Sequence, residues 1–341
     1  MIFTVIAMVI DFSTKIEDFI EEKVPAKEIL VDYYLTFIMY MVGQLIPLYT
    51  LIAVIFFTSR LAFNSEMISI LNAGVSFKRL LRPYLIVAGI IALFHLVGGH
   101  IFIPNGNKQR LEFEHTYVWK TNDKGKKSNV HYFIAPGNAV YVKRFSTSTN
   151  AVDDFQLERF EDQELVYLLK ADRAEYQVDE DIWRLHDYEI HTFDGLDESL
   201  IIGKGSSMDT TLNLKPDDFV RFLDQKDMLT TAELLEAVNR DRDRGVGNTY
   251  QFEAEIHRRS AEPLSIIILT LIGVAVAGRK VRGGIGLHLL VGVITGALYI
   301  FLIKFSFTFA SSNAIPPLLG AWIPNIFFAI VAWFLLQNAQ K

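Results

Sequence analysis

Residues 36–58 read TFIMYMVGQLIPLYTLIAVIFFT, a stretch that contains no Asp, Glu, Lys or Arg. Because a helix of about 20 apolar residues crosses the hydrocarbon core of a bilayer, this segment predicts a membrane span. Four further apolar stretches follow along the chain, at residues 84–103, 263–278, 285–310 and 318–336. The sequence therefore predicts an α-helical membrane protein.

Composition excludes several classes of function. The chain has 341 residues, 33 Lys+Arg against 39 Asp+Glu, a formal net charge of -6 and no cysteine. Its hydrophobic content of 51% and mean hydropathy of +0.25 reflect apolar residues concentrated near both ends. Without cysteine the chain has no disulfides and no thiolate zinc site. Its mild acidity argues against a nucleic-acid partner, because phosphate binding needs a basic face.

The first residues predict a sixth span. Residues 1–10 are apolar but too short to cross a bilayer unaided, and Asp11 follows them. A signal peptide is disfavoured, because neither a basic leading region nor a small-residue cleavage site is present. We expect residues 11–20 to complete this span at the interface, or its true start to lie upstream of Met1.

Basic residues in the short loops orient the spans, since cytoplasmic loops collect Lys and Arg. The loops after residues 36–58 and 263–278 are basic and are predicted to be cytoplasmic, like Lys341. Loops 21–32 and 311–317 are predicted to lie outside, together with residues 104–259. The prediction is three spans, an external domain and three further spans. The basic loop residues are Arg60, Lys78, Arg79, Arg82, Arg279, Lys280 and Arg282.

The middle of the chain changes to the two-residue period of β-strands. Alternating apolar residues flank Pro136-Gly137-Asn138, which predicts a hairpin, and further strands are predicted at 155–160, 165–169, 174–178 and 182–192. A β-sandwich or open jelly-roll-like fold is the economical interpretation. Thr230 and Glu233 have capping-box spacing and predict a helix at 230–244. The predicted domains are spans one to three at 1–103, a β domain at 104–257, and spans four to six at 258–341.

No pattern of catalytic residues is found. The glycines and basic residues at 278–284 have the wrong spacing for a phosphate-binding loop. Glu253, Glu255 and His257 are interpreted as the polar surface of one helix rather than a metal site, and residues 179–181 as a solvated turn rather than a glycosidase pair. We expect a non-catalytic protein that needs no cofactor.

A short amphipathic helix is predicted between residues 36–58 and 84–103. Asn64 and Ser65 provide a cap, and Glu66 places a carboxylate in the first turn, where the helix dipole favours it. An apolar stripe follows, and Gly74 ends the helix. Two interpretations stay open: a helix lying on lipid headgroups, or a coupling helix that inserts into a groove on a soluble partner. The stripe consists of Met67, Ile70 and Leu71.

Three segments carry a resemblance to a known family. The first is Ser65-Glu66-Met67-Ile68 with residues 72–76, the second is Arg259 to Leu264 entering the fourth span, and the third is Pro316-Pro317 with residues 322–324. In order and spacing they are similar to segments of the LptF/LptG permease family. The resemblance extends from about Val9 to the end of the chain. It differs at the start, where family members have a basic stretch and a complete first helix, so this N-terminus is expected to be truncated or misassigned.

The resemblance implies a transport subunit of the bacterial inner membrane. The family has six transmembrane helices with a periplasmic β-jelly-roll between the third and fourth, and two such permeases pair over an LptB ATPase dimer. Glu66 matches the carboxylate of the family's coupling helix. Family members extract lipopolysaccharide through gates lined by helices one and five, and pass it toward an LptC-like protein and the periplasmic bridge. Whether the chain is LptF-like or LptG-like is left open.

Two lysines within predicted spans are candidate ligand contacts. Lys304 interrupts the span at 285–310, and Lys15 lies near the outer end of the first span. A charge inside a span is costly, and both lysines are predicted at the depth of outer-leaflet headgroup phosphates. We hypothesise that they contact lipid A phosphate or core sugars of lipopolysaccharide. The alternative is snorkelling to the interface without a ligand.

Two other functions compete with the permease. In one, a membrane-anchored periplasmic β domain acts alone in envelope assembly or lipid binding, and the spans only hold it. In the other, the chain is a membrane-embedded hydrolase, which is disfavoured because no nucleophile and base lie together in or near the spans. The amphipathic helix distinguishes the permease from the anchored β domain, since an anchor has no need of a helix with a carboxylate in its first turn between two spans.

Overall fold

The structure is a computed structural model, and it describes residues 2–118, 128–146, 149–219, 225–245, 249–279, 281 and 284–339. The chain divides into two compact units. We call Met1–Trp119, Lys226–Leu235 and Tyr250–Lys341 the helical unit, and Lys120–Gln225 and Glu236–Thr249 the β unit. Three of the basic residues used to orient the spans, Lys280, Arg282 and Lys341, lie outside the described residues.

Within the described residues, five helices are long and apolar enough to cross a membrane, and they contain the five predicted apolar stretches. These are α2, α4, α7, α8 and α9. Helix α2 contains a π-helical turn at Ile29–Tyr34 and α4 contains one at Gly98–Phe102. In chain order the described helices are α1 (Ile2–Glu21), α2 (Ala26–Phe63), α3 (Glu66–Asn72), α4 (Phe77–Tyr117), α5 (Gln225–Met228), α6 (Thr231–Asp243), α7 (Tyr250–Ala277), α8 (Gly284–Ser311) and α9 (Pro317–Ala339).

Two helices extend well past the predicted span ends. Helix α4 continues beyond Ile103 to Tyr117, and α7 begins at Tyr250 rather than at Pro263. Pro104 is tolerated because it lies in the first turn after the π-helical segment. Phe113 is buried, and its ring stacks on Tyr33 with centroids 5.1 Å apart. The predicted domain boundaries at 103 and 257 therefore differ from the units, because polar residues beyond both boundaries stay helical and pack within the helical unit.

Helix α7 is the most buried of the five apolar helices. Leu269 and Ile272 on α7 are buried in one cluster with Leu51 of α2, Tyr299 of α8 and Phe328 of α9. Because lipid is as apolar as these side chains, close packing rather than water exclusion holds such helices together. Because α7 packs against α2, α8 and α9, a movement of α7 would change its contacts with each of them.

Helix α1 is attached differently. Its apolar residues near the N-terminus are exposed, whereas Thr4 and Phe19 are buried. The Thr4 Oγ1 atom lies 2.6 Å from the Tyr49 hydroxyl of α2. Helix α1 is not among the five helices apolar enough to span, since charged residues occupy its second half. The exposed apolar residues include Ile2, Phe3, Val5, Ile6, Val9 and Ile10.

The strands of the β unit form one six-stranded antiparallel sheet in the order β1-β2-β3-β4-β5-β6. One row of paired residues crosses all six strands and is apolar throughout; it is buried on β2, β3 and β4 and exposed at Ile201 on β6. The row runs Tyr132, Val140, Leu157, Leu169, Ile190 and Ile201. The strands are β1 (Ser128–Ala135), β2 (Asn138–Ser146), β3 (Ala151–Glu161), β4 (Glu164–Gln177), β5 (Ile182–Asp194) and β6 (Asp197–Thr210).

The sheet confirms the predicted hairpin at Pro136-Gly137 but corrects the predicted topology. A sandwich or jelly roll needs long connections that cross between sheets. Short turns instead join neighbouring strands, so the described strands pair in chain order as a meander. The strands predicted at 165–169 and 174–178 are one strand, because pairing with β5 continues on both sides of Asp172. Strand β6 is absent from the prediction.

A buried ion pair fixes the end of the β unit. The side chains of Asp218 and Arg244 are 2% and 3% exposed, and Arg244 Nη2 donates to Asp218 Oδ2 at 2.8 Å. The backbone amide of Lys215 donates to the same oxygen at 2.9 Å. Burial raises the pKa of the Asp218 carboxyl, but these hydrogen bonds outweigh burial and hold its pKa below the ordinary value.

We expect Asp218→Asn to destabilise the β unit by about 3 kcal/mol at pH 7, because it leaves the Arg244 charge buried and uncompensated. The folded-state pKa of Asp218 is depressed. Its stabilising effect is therefore present above the unfolded-state value of about 3.9 and is lost as the pH falls through the folded-state pKa.

Hydrogen exchange of the sheet amides, corrected for the intrinsic pH dependence of exchange, measures this effect. The difference between Asp218→Asn and the unsubstituted chain should shrink below about pH 4. Asp179→Asn, in an exposed turn, is the control and should behave like the unsubstituted chain. A difference that stays constant down to pH 2 would contradict this explanation.

Candidate functional site

Helix α3 begins and ends close to its predicted bounds, but its N-terminus is not capped as predicted. Ser65 adopts a left-handed conformation with φ 63°, and its side chain makes no capping hydrogen bond. Asn64 Nδ2 donates instead to Glu66 Oε1 at 3.1 Å. Gly74 ends the helix as predicted. Its φ of +82° is a conformation that residues with a Cβ atom rarely adopt.

The apolar stripe of α3 is divided between the helical unit and solvent. Met67 is 1% exposed, and its Cε atom would lie 3.4 Å from a Cβ placed on Gly278, directly after α7. Ile70 is half-buried, whereas Leu71, like Ile68, is exposed. Helix α3 is therefore seated against the end of α7 by one side chain, and it presents Glu66 beside exposed apolar residues.

Lys15 lies in a balanced charge cluster. Its Nζ donates to Asp11 Oδ1 and to Glu114 Oε1, both at 2.7 Å, and also to the Tyr33 hydroxyl. Arg110 Nη1 lies 3.2 Å from the same Glu114 oxygen. Two carboxylates thus face two cations, and the side chain of Lys15 is only 16% exposed. The cluster joins α1 to α2 and α4, and it leaves Lys15 no net positive charge to offer an anionic lipid.

A second cluster surrounds Glu255 on α7, which is 1% exposed. Arg258 donates from Nε to Glu255 Oε2 and from Nη2 to Oε1, both at 2.8 Å. Arg259 Nε donates to the same Oε1 at 2.7 Å. Arg258 Nη1 also reaches Glu262 Oε2 at 2.8 Å. The prediction that Glu255 lies on the polar surface of a helix is therefore wrong, because this residue is buried within the helical unit.

Arg259 connects α7 to the preceding segment of the helical unit. Its Nη1 donates to the Leu229 carbonyl at 2.7 Å and its Nη2 to the Lys226 carbonyl at 2.9 Å. Lys226 pairs with Asp227 at 3.2 Å. Burial, followed by the charge of Glu255, raises the pKa of Asp227, so its proton uptake begins at a higher pH than that of an exposed aspartate.

Two small cavities of about 30 and 40 Å³ adjoin this cluster and share Gln44 and Glu262 in their walls. We call them together the charged cleft. Each has room for one or a few water molecules. Asp227, Glu255, Arg258 and Arg259 line the first cavity together with Tyr40 and His95. Lys304 lines the second with Leu48 and Tyr299.

Lys304 differs from the other charged residues of this cleft in its lack of an ion pair among the described residues. Three carboxylates of the cleft are paired within 3.2 Å with three cations. In the described part of the chain, no carboxylate oxygen lies within 4 Å of the Lys304 ammonium, and the residue is exposed. Among the charged residues that line the cleft, Lys304 is therefore the one that makes no ion pair within the described part of the chain. The paired residues are Asp227, Glu255 and Glu262 with Lys226, Arg258 and Arg259.

Comparison with known proteins identifies the family. The profile of the family described as "Lipopolysaccharide export system permease LptF/LptG" matches residues 1–338. The chain belongs to the LptF/LptG family. It is also 23% identical over 305 residues to the lipopolysaccharide export system permease protein LptG of Haemophilus influenzae, covering 86% of this chain and 81% of that protein.

Family membership makes the chain a multi-pass permease subunit of lipopolysaccharide transport in the inner membrane. It confirms the resemblance drawn from residues 65–76, 259–264 and 316–324. Among the described residues, the structure shows no group of three side chains of metal-ligand type.

Sequence reasoning identified Lys304, Glu66 and Met67, but it missed the residues that give Lys304 its setting. Arg258, Glu262 and Glu255 could have been found from the four-residue spacing of opposite charges, Glu255 to Arg259 and Arg258 to Glu262, directly before an apolar stretch. Glu114 has the same four-residue spacing from Arg110, but its other partner, Lys15, is distant in sequence and has no local signal. Both Lys15 and Lys304 lie within predicted spans, but only Lys15 has carboxylate partners among the described residues, Asp11 and Glu114.

We expect Lys15→Met to destabilise the helical unit by about 3 kcal/mol, because it leaves Asp11 and Glu114 with one cation between them. Lys304→Met is the matched control and should leave thermal stability in detergent unchanged or raised, since it breaks no ion pair. Equal destabilisation by both substitutions would contradict the distinction between the two lysines.

Proposed function

We propose that this chain is the transmembrane subunit of an ABC transporter that extracts lipopolysaccharide from the inner membrane and passes it toward the outer membrane. In this proposal a separate LptB-like ATPase dimer hydrolyses ATP, and the chain itself has no catalytic site. Family membership, the five described apolar helices and the β unit inserted between them along the sequence support this function.

The observation that carries the coupling proposal is the geometry of α3. A seven-residue helix between two apolar helices is held by buried Met67 against the end of α7, and it exposes Glu66, Ile68 and Leu71. A carboxylate flanked by apolar side chains suits a groove on a soluble protein that offers both a cation and an apolar surface. In this proposal α3 is the coupling helix. Ser65 and Gly74 flank its two ends, and Ile70 is half-buried one turn after Met67.

The proposed topology has six spans. Helix α1 supplies the sixth through its exposed apolar half, and Arg60, Lys78, Arg79 and Arg279 place α3 on the cytoplasmic side. The β unit then lies in the periplasm, with the domain order expected from the sequence. The proposed partners are a paralogous LptF/LptG-type permease, the ATPase dimer and an LptC-like protein that receives the lipid.

Lys304 is the proposed contact for the lipopolysaccharide phosphates. It is an exposed and uncancelled positive charge on α8, one of the apolar helices, and a phosphate headgroup offers the matching charge. Lys15, the other candidate, is neutralised by Asp11 and Glu114 and acts in this proposal as the attachment of α1. An anchored β domain that works without an ATPase remains the competing function, and it needs neither α3 nor Lys304.

Glu66→Ala should lower ATP-driven lipopolysaccharide export by about tenfold while leaving the thermal stability of the chain unchanged, because Glu66 is exposed and is not needed for the fold. Export and ATP hydrolysis by the reconstituted complex measure the effect, and Glu66→Asp should recover part of it. Full export by Glu66→Ala would favour the anchored β domain.

Lys304→Glu should abolish most of the stimulation of ATP hydrolysis by lipopolysaccharide, because it places a negative charge against the lipid phosphates. The basal ATPase rate should not change. Lys27→Glu, an exposed lysine near the start of α2, is the charge-matched control. Unchanged stimulation in Lys304→Glu would remove Lys304 from the lipid path and support simple snorkelling.

A further inference from the structure

Glu262 and Lys304 face the same cavity from different helices. Glu262 lies on α7 and Lys304 on α8, and both line the second cavity of the charged cleft. Gln44 of α2 completes the wall between the two cavities. All three residues belong to the helical unit.

Among the described residues, Glu262 has one carboxylate oxygen without a donor, and Lys304 has no carboxylate partner. Glu262 Oε2 accepts from Arg258 at 2.8 Å, whereas no described donor bonds to Oε1. The Lys304 ammonium has no carboxylate within 4 Å among the described residues. Charges of the cleft act on Lys304 in opposite senses: Arg258 repels it most strongly, and Glu262 attracts it more strongly than Asp227 and Glu255 do.

We propose that Glu262 is the counter-ion that holds Lys304 when no lipid is bound, and that an anionic phosphate of the lipid displaces it. The long, flexible side chain of a lysine permits both positions. Turned into the cleft, the ammonium approaches Glu262 Oε1 across a cavity wide enough for a bridging water. Turned outward, it meets a lipid phosphate. This inference rests on the proposed role of Lys304 in binding lipid phosphate.

The consequence is lipid selectivity. A ligand must compete with a carboxylate for the ammonium, so a lipid with two phosphates succeeds where a zwitterionic or singly charged headgroup does not. Arg258 Nη1 holds the other Glu262 oxygen at 2.8 Å and so orients the carboxylate. Glu262 therefore sets specificity in this proposal.

A double-mutant cycle on the full chain within its purified complex tests this proposal. The variants are Glu262→Gln, Lys304→Gln and both together, and the ligands are lipid A, phosphatidylglycerol and phosphatidylethanolamine in nanodiscs. Glu262→Gln should bind phosphatidylglycerol about fivefold more tightly, and Lys304→Gln should bind lipid A about fivefold more weakly. With Lys304→Gln already present, Glu262→Gln should change nothing.

Each outcome distinguishes one claim. If Lys304→Gln binds lipid A normally, the phosphate role of Lys304 fails. If Lys304→Gln weakens binding but Glu262→Gln tightens phosphatidylglycerol binding equally in both backgrounds, the released Arg258 is responsible and the counter-ion proposal alone is overturned. Glu262→Asp should keep the original selectivity. Glu28→Gln, whose carboxylate accepts from Tyr117 outside the cleft, is the matched control and should bind all three lipids normally.

Discussion

Charges within the helical unit are stable only where opposite charges meet them, because a membrane-embedded interior solvates ions poorly. Lys15 and Arg110 meet Asp11 and Glu114, and this balanced cluster attaches α1 to its neighbours. Around α7, the ion pairs of Glu255 and Glu262 with Arg258 and Arg259 cancel in the same way. Lys304 has no such partner among the described residues, and on this ground we propose it as the contact for an anionic ligand.

Helix α7 links the two parts of the proposed mechanism. Its end at Ala277 leads directly into Gly278, where Met67 seats the coupling helix, while Arg258 and Glu262 near its middle form the wall of the charged cleft. Helix α7 runs without a break from the cleft to Gly278, with Pro263 between these two sites, and it is the most buried of the apolar helices. A displacement imposed on α3 would therefore reach the cleft through one element, without passing through a chain of loops.

The features that sequence predicted are those decided by neighbouring residues. Uncharged stretches give the five apolar helices, Pro136-Gly137 gives the hairpin, and the capping box appears as Thr230 Oγ1 and Glu233 Oε2 at 2.8 Å. Features decided by distant residues were missed. The meander of the sheet, the burial of Glu255 and the neutralisation of Lys15 by Glu114 depend on partners that no local pattern specifies.

The central claim is that this chain works as part of an ATP-driven lipopolysaccharide permease. The most direct test is affinity purification of the tagged chain from its native membrane in mild detergent, with mass spectrometry of the proteins and lipids that accompany it. The account predicts a P-loop ATPase, a second permease of the same family and lipid A species. Recovery of the chain alone or with only periplasmic proteins, under conditions in which another ABC complex stays intact, would contradict it.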